Sequence, residues 1–217
     1  MINTVNNFIS IQDTLKIKIK NLKQINIIAV SKTFPIEHLY PLINSGHEHF
    51  GENKVQETLE KWQDIKKDFL HIKLHMIGKL QTNKVKLAVQ LFDYIHSLDN
   101  LKLAQKISSE QSKIDKKLKI FIQINFDNEI QKSGIDPDNL ESFYIKCVDD
   151  LKLNIIGLMC LPPKISNSND YFLKMQNLAK KINVKELSMG MSNDYLEAAE
   201  SGATFLRIGS KIFGNRT

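Results

Sequence analysis

The sequence predicts a closed (β/α)8 TIM barrel in one domain over residues 1–217, on three observations. Short apolar, largely β-branched segments alternate along the chain with helical patterns. The strand-like segments number eight, as in a barrel of this type. No Pro-, Gly- or Ser-rich linker divides the alternation. An open doubly wound sheet is the alternative, because the second strand and the last unit are short.

The elements follow in order. Phe8, Ile11, Leu15, Ile19 and Leu22 recur at three- and four-residue steps, so an amphipathic helix over 5–22, within an amino-terminal region 1–22, precedes the first strand. Ile25 to Val30 has the mostly apolar pattern of a strand buried on both faces, and Pro35 then opens a short helix over Ile36–Ile43, closed by Ser45-Gly46. His49 to Glu52 is the second strand. Val55, Leu59, Trp62, Ile65 and Phe69 make one helical stripe. Strand three is Lys73–Gly78, with a helix over Asn83–Leu91. Strand four is Tyr94–Asp99, with a helix bearing Leu101, Ala104 and Ile107. Lys119–Phe126 is strand five. Pro137 starts a helix with Leu140, Phe143, Tyr144, Cys147, Val148 and Leu151 on one face. Asn154–Leu161 is strand six, stopped by Pro162-Pro163. A polar loop, Ser166–Asp170, leads to a helix with Phe172, Met175, Leu178, Ala179 and Ile182. Glu186–Gly190 is strand seven, Ser192 caps a helix ending at Gly202, and Phe205–Ser210 is strand eight.

Composition narrows the function classes. With 42% hydrophobic and 25% charged residues the chain is ordinarily globular, and its longest apolar runs are strand-length, so no membrane association is expected. The amino terminus lacks a basic region followed by an apolar stretch, and Cys147 and Cys160 form no CxxC. These features fit a cytoplasmic protein with two buried thiols. The net charge of +6 comes from scattered lysines without a basic block, which argues against nucleic-acid binding.

In such a barrel, chemistry collects at the carboxyl ends of the strands. Those ends hold Lys32, Glu52-Asn53, Gln81 with Asn83, Ser97 with Asp99, Asn125, Ser192, Arg207, Gly209 and Ser210. The six histidines lie on different elements, with no metal-ligand spacing and no Ser-His-Asp order. His75 and His96 fall inside strands and read as satisfied core groups.

Lys32 stands at the end of a buried strand, where desolvation lowers an ammonium pKa and frees a nucleophilic amine for Schiff-base chemistry. Alone, it would be an ordinary strand-end lysine reaching water. The tail changes that reading. Met189-Gly190-Met191-Ser192-Asn193-Asp194 turns a strand into a helix with unpaired first amides, and Arg207-Ile208-Gly209-Ser210 ends the next strand with a glycine and a hydroxyl. Two neighbouring anion-binding loops, beside a Schiff-base lysine on strand one, describe a phosphorylated aldehyde cofactor: pyridoxal 5'-phosphate (PLP).

Several segments bear a family resemblance. Ala29-Val30-Ser31-Lys32-Thr33, Phe50 to Glu57, His75 to Lys84, Lys132-Ser133-Gly134-Ile135, Gly157-Leu158-Met159, Leu187 to Asp194 and Arg207 to Gly214 resemble, in family order from about Ile27 to Arg216, the YggS/PROSC family of PLP homeostasis proteins. The resemblance implies a barrel like the alanine racemase N-terminal domain. It also implies a cofactor-binding set of Lys32 (covalent Schiff base), Asn53 near the ring, Arg207 facing the pyridine nitrogen, Ser192, Gly209 and Ser210 around the phosphate, and Ile208. Lys79 stands where the family usually has proline, and Ser210 replaces the usual threonine.

A guanidinium opposite the ring nitrogen would keep that nitrogen unprotonated and make the ring a poorer electron sink. Seven residues follow Ser210, so the expectation is that a second acid/base domain is missing. A monomeric, non-catalytic PLP carrier or buffer in transient contact with PLP-dependent apo-enzymes is therefore expected. The alternatives are a racemase- or transaminase-like PLP enzyme, and a cofactor-free Schiff-base aldolase. Lys132 is a candidate second station for the aldehyde during hand-over.

Overall fold

The computed structural model describes residues 3–19, 25–126, 133–162 and 168–214. Eight parallel strands close into a barrel in sequence order: β1 (Asn26–Val30), β2 (His49–Glu52), β3 (Lys73–Met76), β4 (Tyr94–Leu98), β5 (Lys119–Ile124), β6 (Ile155–Cys160), β7 (Glu186–Ser188) and β8 (Phe205–Ile208). The pairing of β1 with both β2 and β8 removes the open-sheet alternative. Most strands end one to two residues before the apolar pattern does, because the final residues turn out into the loops at the barrel mouth.

The helices α1 (Thr4–Lys18), α2 (Tyr40–Asn44), α3 (Val55–Trp62), α4 (Ile65–Asp68), α5 (Val85–Leu91), α6 (Leu101–Ser112), α7 (Leu140–Ile145), α8 (Ser168–Lys181), α9 (Tyr195–Glu200) and α10 (Ser210–Phe213) accompany the strands. Four expectations need correction. The stripe from Val55 to Phe69 is two helices, α3 and α4; Asp64 restarts the chain so that Trp62 and Ile65 are both buried, and a break that keeps both apolar faces inward leaves the same spacing in sequence. The helix after Pro137 loosens to a π turn over Lys146–Asp150, which still buries Cys147. Ser168–Asp170 belongs to α8 and not to a loop. Strand eight stops at Ile208, because Ser210 begins α10. Leu22 and Lys132 lie outside the described residues.

The apolar core has two shells. Between strands and helices lie fully buried Leu39, Leu42, Trp62, Leu74, Ile95, Leu103, Leu158 and Phe172. Inside the barrel a smaller cluster packs Ile28, Tyr94, Phe121, Met159 and Phe205. Strand residues alternate between these shells, so side chains two apart share a face. That parity decides what points into the barrel. Ile28 and Phe205 face inward, and so do Arg207 and the strand-end position of Lys32.

Among the described residues, no helix is long and apolar enough to cross a membrane, and no group of three His, Cys, Asp or Glu side chains could hold a metal ion. Cys147 and Cys160 are buried free thiols, and burial pushes both up to about 12.

Candidate functional site

The site begins with Ser31, the residue before Lys32. Ser31 Oγ donates to Glu52 Oε1 at 2.8 Å, on the outer side of the barrel. The same oxygen accepts from Lys61 Nζ at 2.9 Å and Trp62 Nε1 at 3.0 Å, and Lys61 Nζ also donates to Ser31 O at 2.9 Å. Glu52 is fully buried, and Lys61 is nearly so. With Ser31 clamped outward, alternation sends the half-buried Lys32 toward the barrel mouth. Thr33 follows with φ 70°, a left-handed conformation that costs a branched residue energy, and its N–H donates to Glu57 Oε1 of α3 at 3.0 Å. The lysine thus sits in a turn tied down on both sides.

Arg207 lies on the next strand around, since β8 pairs with β1 in the register Ile28↔Arg207 and Ala29↔Ile208. It is 4% exposed. Nη1 donates to Ser188 Oγ at 2.7 Å and Nη2 to the Cys160 carbonyl at 2.8 Å. Both acceptors are neutral, and burial lowers the guanidinium's pKa from its ordinary value. Five N–H groups belong to a guanidinium, so the acceptors among the described residues leave donors to spare.

Beyond Arg207 the chain reaches Gly209 and the start of α10. A Cβ on Gly209 would come within 3.3 Å of the Val30 carbonyl, so the close seating of this loop on β1 favours glycine. Ile212 and Phe213 donate back to the Gly209 carbonyl, and the Lys211 N–H meets Ser192 Oγ at 3.4 Å. The loops after β7 and β8 therefore touch through Ser192. Ser192 is not a helix cap, however. The helix starts later, at Tyr195 after Asp194, whose Oδ1 accepts from the Met191 N–H at 2.6 Å. Asp194 stands directly before the helix without a side-chain bond to its first turn, and the Ser192 hydroxyl meets the neighbouring loop instead. Gly190, at φ 85°, makes the turn out of β7.

The other expected residues divide. Asn53 is half-buried at the end of β2, on the inward parity of Gly51. The Ile208 side chain lies in the outer shell, so only its backbone can serve a ligand. Ser210 is exposed on the first turn of α10, and Lys79 is exposed in its loop.

Sequence reading missed what fills the barrel below Arg207. His49 Nδ1 lies 2.9 Å from His75 Nε2, His75 Nδ1 2.9 Å from His96 Nε2, and His96 Nδ1 2.8 Å from Ser188 Oγ. His75 stacks on Tyr94 (4.1 Å, 14°) and His96 on Phe121 (4.3 Å, 19°). Burial drives both imidazoles well below their ordinary pKa, and neighbouring rings or Arg207 add to it. Both are satisfied core groups, as their strand positions suggested. Their shared parity with Arg207 is the signal that would have linked them.

Residues 11–217 match the family described as alanine racemase, N-terminal domain. A pyridoxal phosphate homeostasis protein of Aquifex aeolicus is 37% identical over 199 residues, covering 88% of this chain and 86% of that protein. The chain belongs to the pyridoxal phosphate homeostasis family. The family member from Escherichia coli K12 is 32% identical, over 89% of this chain and 87% of its own. PipY of Synechococcus elongatus, solved with PLP bound, superposes with a TM-score of 0.87 at 29% identity, over 98% of this chain and all of its own. Alanine racemase of Clostridium difficile shares the fold of the pyridoxal phosphate homeostasis family at a TM-score of 0.74 and 14% identity, with this chain spanning 57% of its length.

Proposed function

We propose that this protein holds PLP at the carboxyl-end mouth of its barrel, bonded through the Lys32 amine, and stores or delivers it without turnover. The observation that carries this reading is Arg207: a buried cation whose protein acceptors are neutral, on the strand paired with that of Lys32. The names of the relatives, and PipY solved with PLP, support it.

The residues present fit the group. A phosphate ester needs convergent N–H and O–H donors, and the glycine-seated start of α10 offers backbone amides beside the Ser192 and Ser210 hydroxyls. A pyridine ring needs a flat slot with a donor at its nitrogen, which Arg207 supplies from the wall, with Asn53 on the opposite side of the Lys32 strand. When bound, the cofactor supplies an aldehyde carbon with which a lysine amine condenses. Ser31, clamped by Glu52, and Thr33, tied to Glu57, orient that amine. Arg207, which only donates, keeps a proton off the ring nitrogen and so withholds the electron sink that carbanion chemistry requires.

A cytoplasmic monomer that meets apo-enzymes briefly is part of this reading. The test is a visible spectrum of purified protein before and after borohydride reduction, with the modified peptide mapped by mass. Modification at Lys32 is expected. A colourless protein, or label on another lysine, overturns the site. Steady racemisation or transamination of supplied amino acids overturns the non-catalytic role.

A further inference from the structure

The polar file inside the barrel has a direction. Arg207 can only donate, so Ser188 Oγ accepts its hydrogen. Among the described residues Ser188 Oγ has one further partner, His96 Nδ1, and gives it the hydroxyl hydrogen. Burial keeps His96 and His75 neutral, and a neutral imidazole that accepts at Nδ1 donates from Nε2. Hydrogens therefore run from His96 Nε2 to His75 Nδ1, and from His75 Nε2 to His49 Nδ1. The opposite order would leave two donors on one hydroxyl and the Ser188 hydrogen without an acceptor, in a residue with no exposure.

The far end of the file opens. His49 is half-buried at the first position of β2, where it lines a cavity of about 450 Å³ at the amino-end mouth with Phe8, Asn26 and His47. The rings of His47, His75, Tyr94 and Phe205 face it. The charges around it are Glu48 beside it in the chain, Lys73 from β3, Asp93 before β4 and Lys119 from β5. Two anions and two cations leave burial as the leading influence.

We propose that Ser188, His96 and His75 are positioning residues forming a directional relay, which ties the protonation of His49 at the amino-end mouth to the setting of Arg207 at the other end. An imidazolium at His49 bears hydrogen on Nδ1, which meets the hydrogen of His75 Nε2 head-on. The file accepts it only in reversed order. The reversed file holds one proton more, taken from solvent: His49 carries hydrogen on both nitrogens, His75 and His96 carry theirs on Nδ1, and Ser188 keeps its own, now stranded. Coupling of this kind is reciprocal. The hold of Arg207 on Ser188 opposes protonation of His49, and a proton on His49 loosens Arg207. The consequence for the cofactor rests on the proposed function; the relay itself does not.

The test is imidazole ¹⁵N NMR of the cofactor-free protein, titrated from about pH 8 to about pH 5. His75 and His96 are expected as Nε2–H tautomers, a measurement that needs no variant. Ser188→Ala removes the stranded hydrogen and should raise the His49 midpoint by about one unit. Ser97→Ala should leave it unchanged, since Ser97 Oγ, buried beside His96 in the chain, makes no hydrogen bond among the described residues and so takes no part in the file. Nδ1–H tautomers in the parent protein, or an unchanged His49 midpoint in Ser188→Ala, overturn the relay. In PLP-loaded protein the visible band should shift through the same midpoint. If the titration behaves as expected but the band ignores it, the placement of the ring against Arg207 fails and the relay stands.

Discussion

The Ser31 hydroxyl donates to the buried carboxylate of Glu52 at 2.8 Å, joining the end of β1 to the end of β2 one residue before Lys32. Lys61 and Trp62 share the same oxygen, so one carboxylate fixes a strand, a helix and the direction of the lysine. Glu52→Ala would leave the Lys61 ammonium, 9% exposed, without its counter-charge. Breaking a buried pair from one side costs about 3–5 kcal/mol. Denaturant unfolding should register a loss of that size, with PLP binding weakened in parallel.

Lys32→Ala should behave in the opposite way. The lysine is half-buried at a strand end, outside both apolar shells. Far-UV circular dichroism and Tm should match the parent protein, while the visible band of PLP-treated protein disappears.

Arg207 is where stability and the proposed binding should part. It is buried against neutral acceptors, and charge is costly there. Arg207→Met should give an equal or higher Tm, with at least about tenfold weaker PLP binding by spectroscopic titration, one hydrogen bond to a charged group being worth that much.

The two site glycines should separate packing from ligand contact. At Gly190 a Cβ would stand 2.5 Å from the Ala198 Cβ at φ 85°, so Gly190→Ala should cost about 2–4 kcal/mol. At Gly209 the nearest atom would be 3.3 Å away, so Gly209→Ala should change stability by no more than about 1 kcal/mol. Its effect should appear in the affinity for inorganic phosphate, by calorimetry.

Acid should unfold the protein through its histidines. His47, His49, His75 and His96 all have folded pKa values below the ordinary 6.5, burial being the first cause in each. A histidine kept neutral by the fold leaves stability unaffected above the unfolded pKa. Stability is lost as pH falls below that value, because the unfolded chain takes the proton first. The loss should begin near pH 6.5. For His47, lowered to about 4, it should total about 3 kcal/mol once the pH has fallen to about 4. Equilibrium unfolding across this range measures it.

The sequence disclosed the barrel because parallel strands buried on both faces leave long β-branched runs, and Ile27–Val30 or Ile120–Ile124 could be little else. Element ends were less legible. Ser192 has the side chain of a cap, yet the helix begins only after Asp194, later than the serine suggests. Lys32, Arg207 and Gly209 stood out because their positions at strand ends are one-dimensional facts. The file from His49 to Ser188 did not, since its members lie on four strands and meet only when the sheet closes. Inward parity was readable; adjacency across the barrel was not.

Trp62 is the sole tryptophan of the chain, has no exposure, and bonds to the carboxylate that anchors Ser31. The molecule therefore contains its own fluorophore, two hydrogen bonds from the residue preceding Lys32. Emission from this buried indole should be blue-shifted and should report the state of the anchor without any added dye. The proposed loading of Lys32 should thus be open to real-time measurement by light, on unlabelled protein.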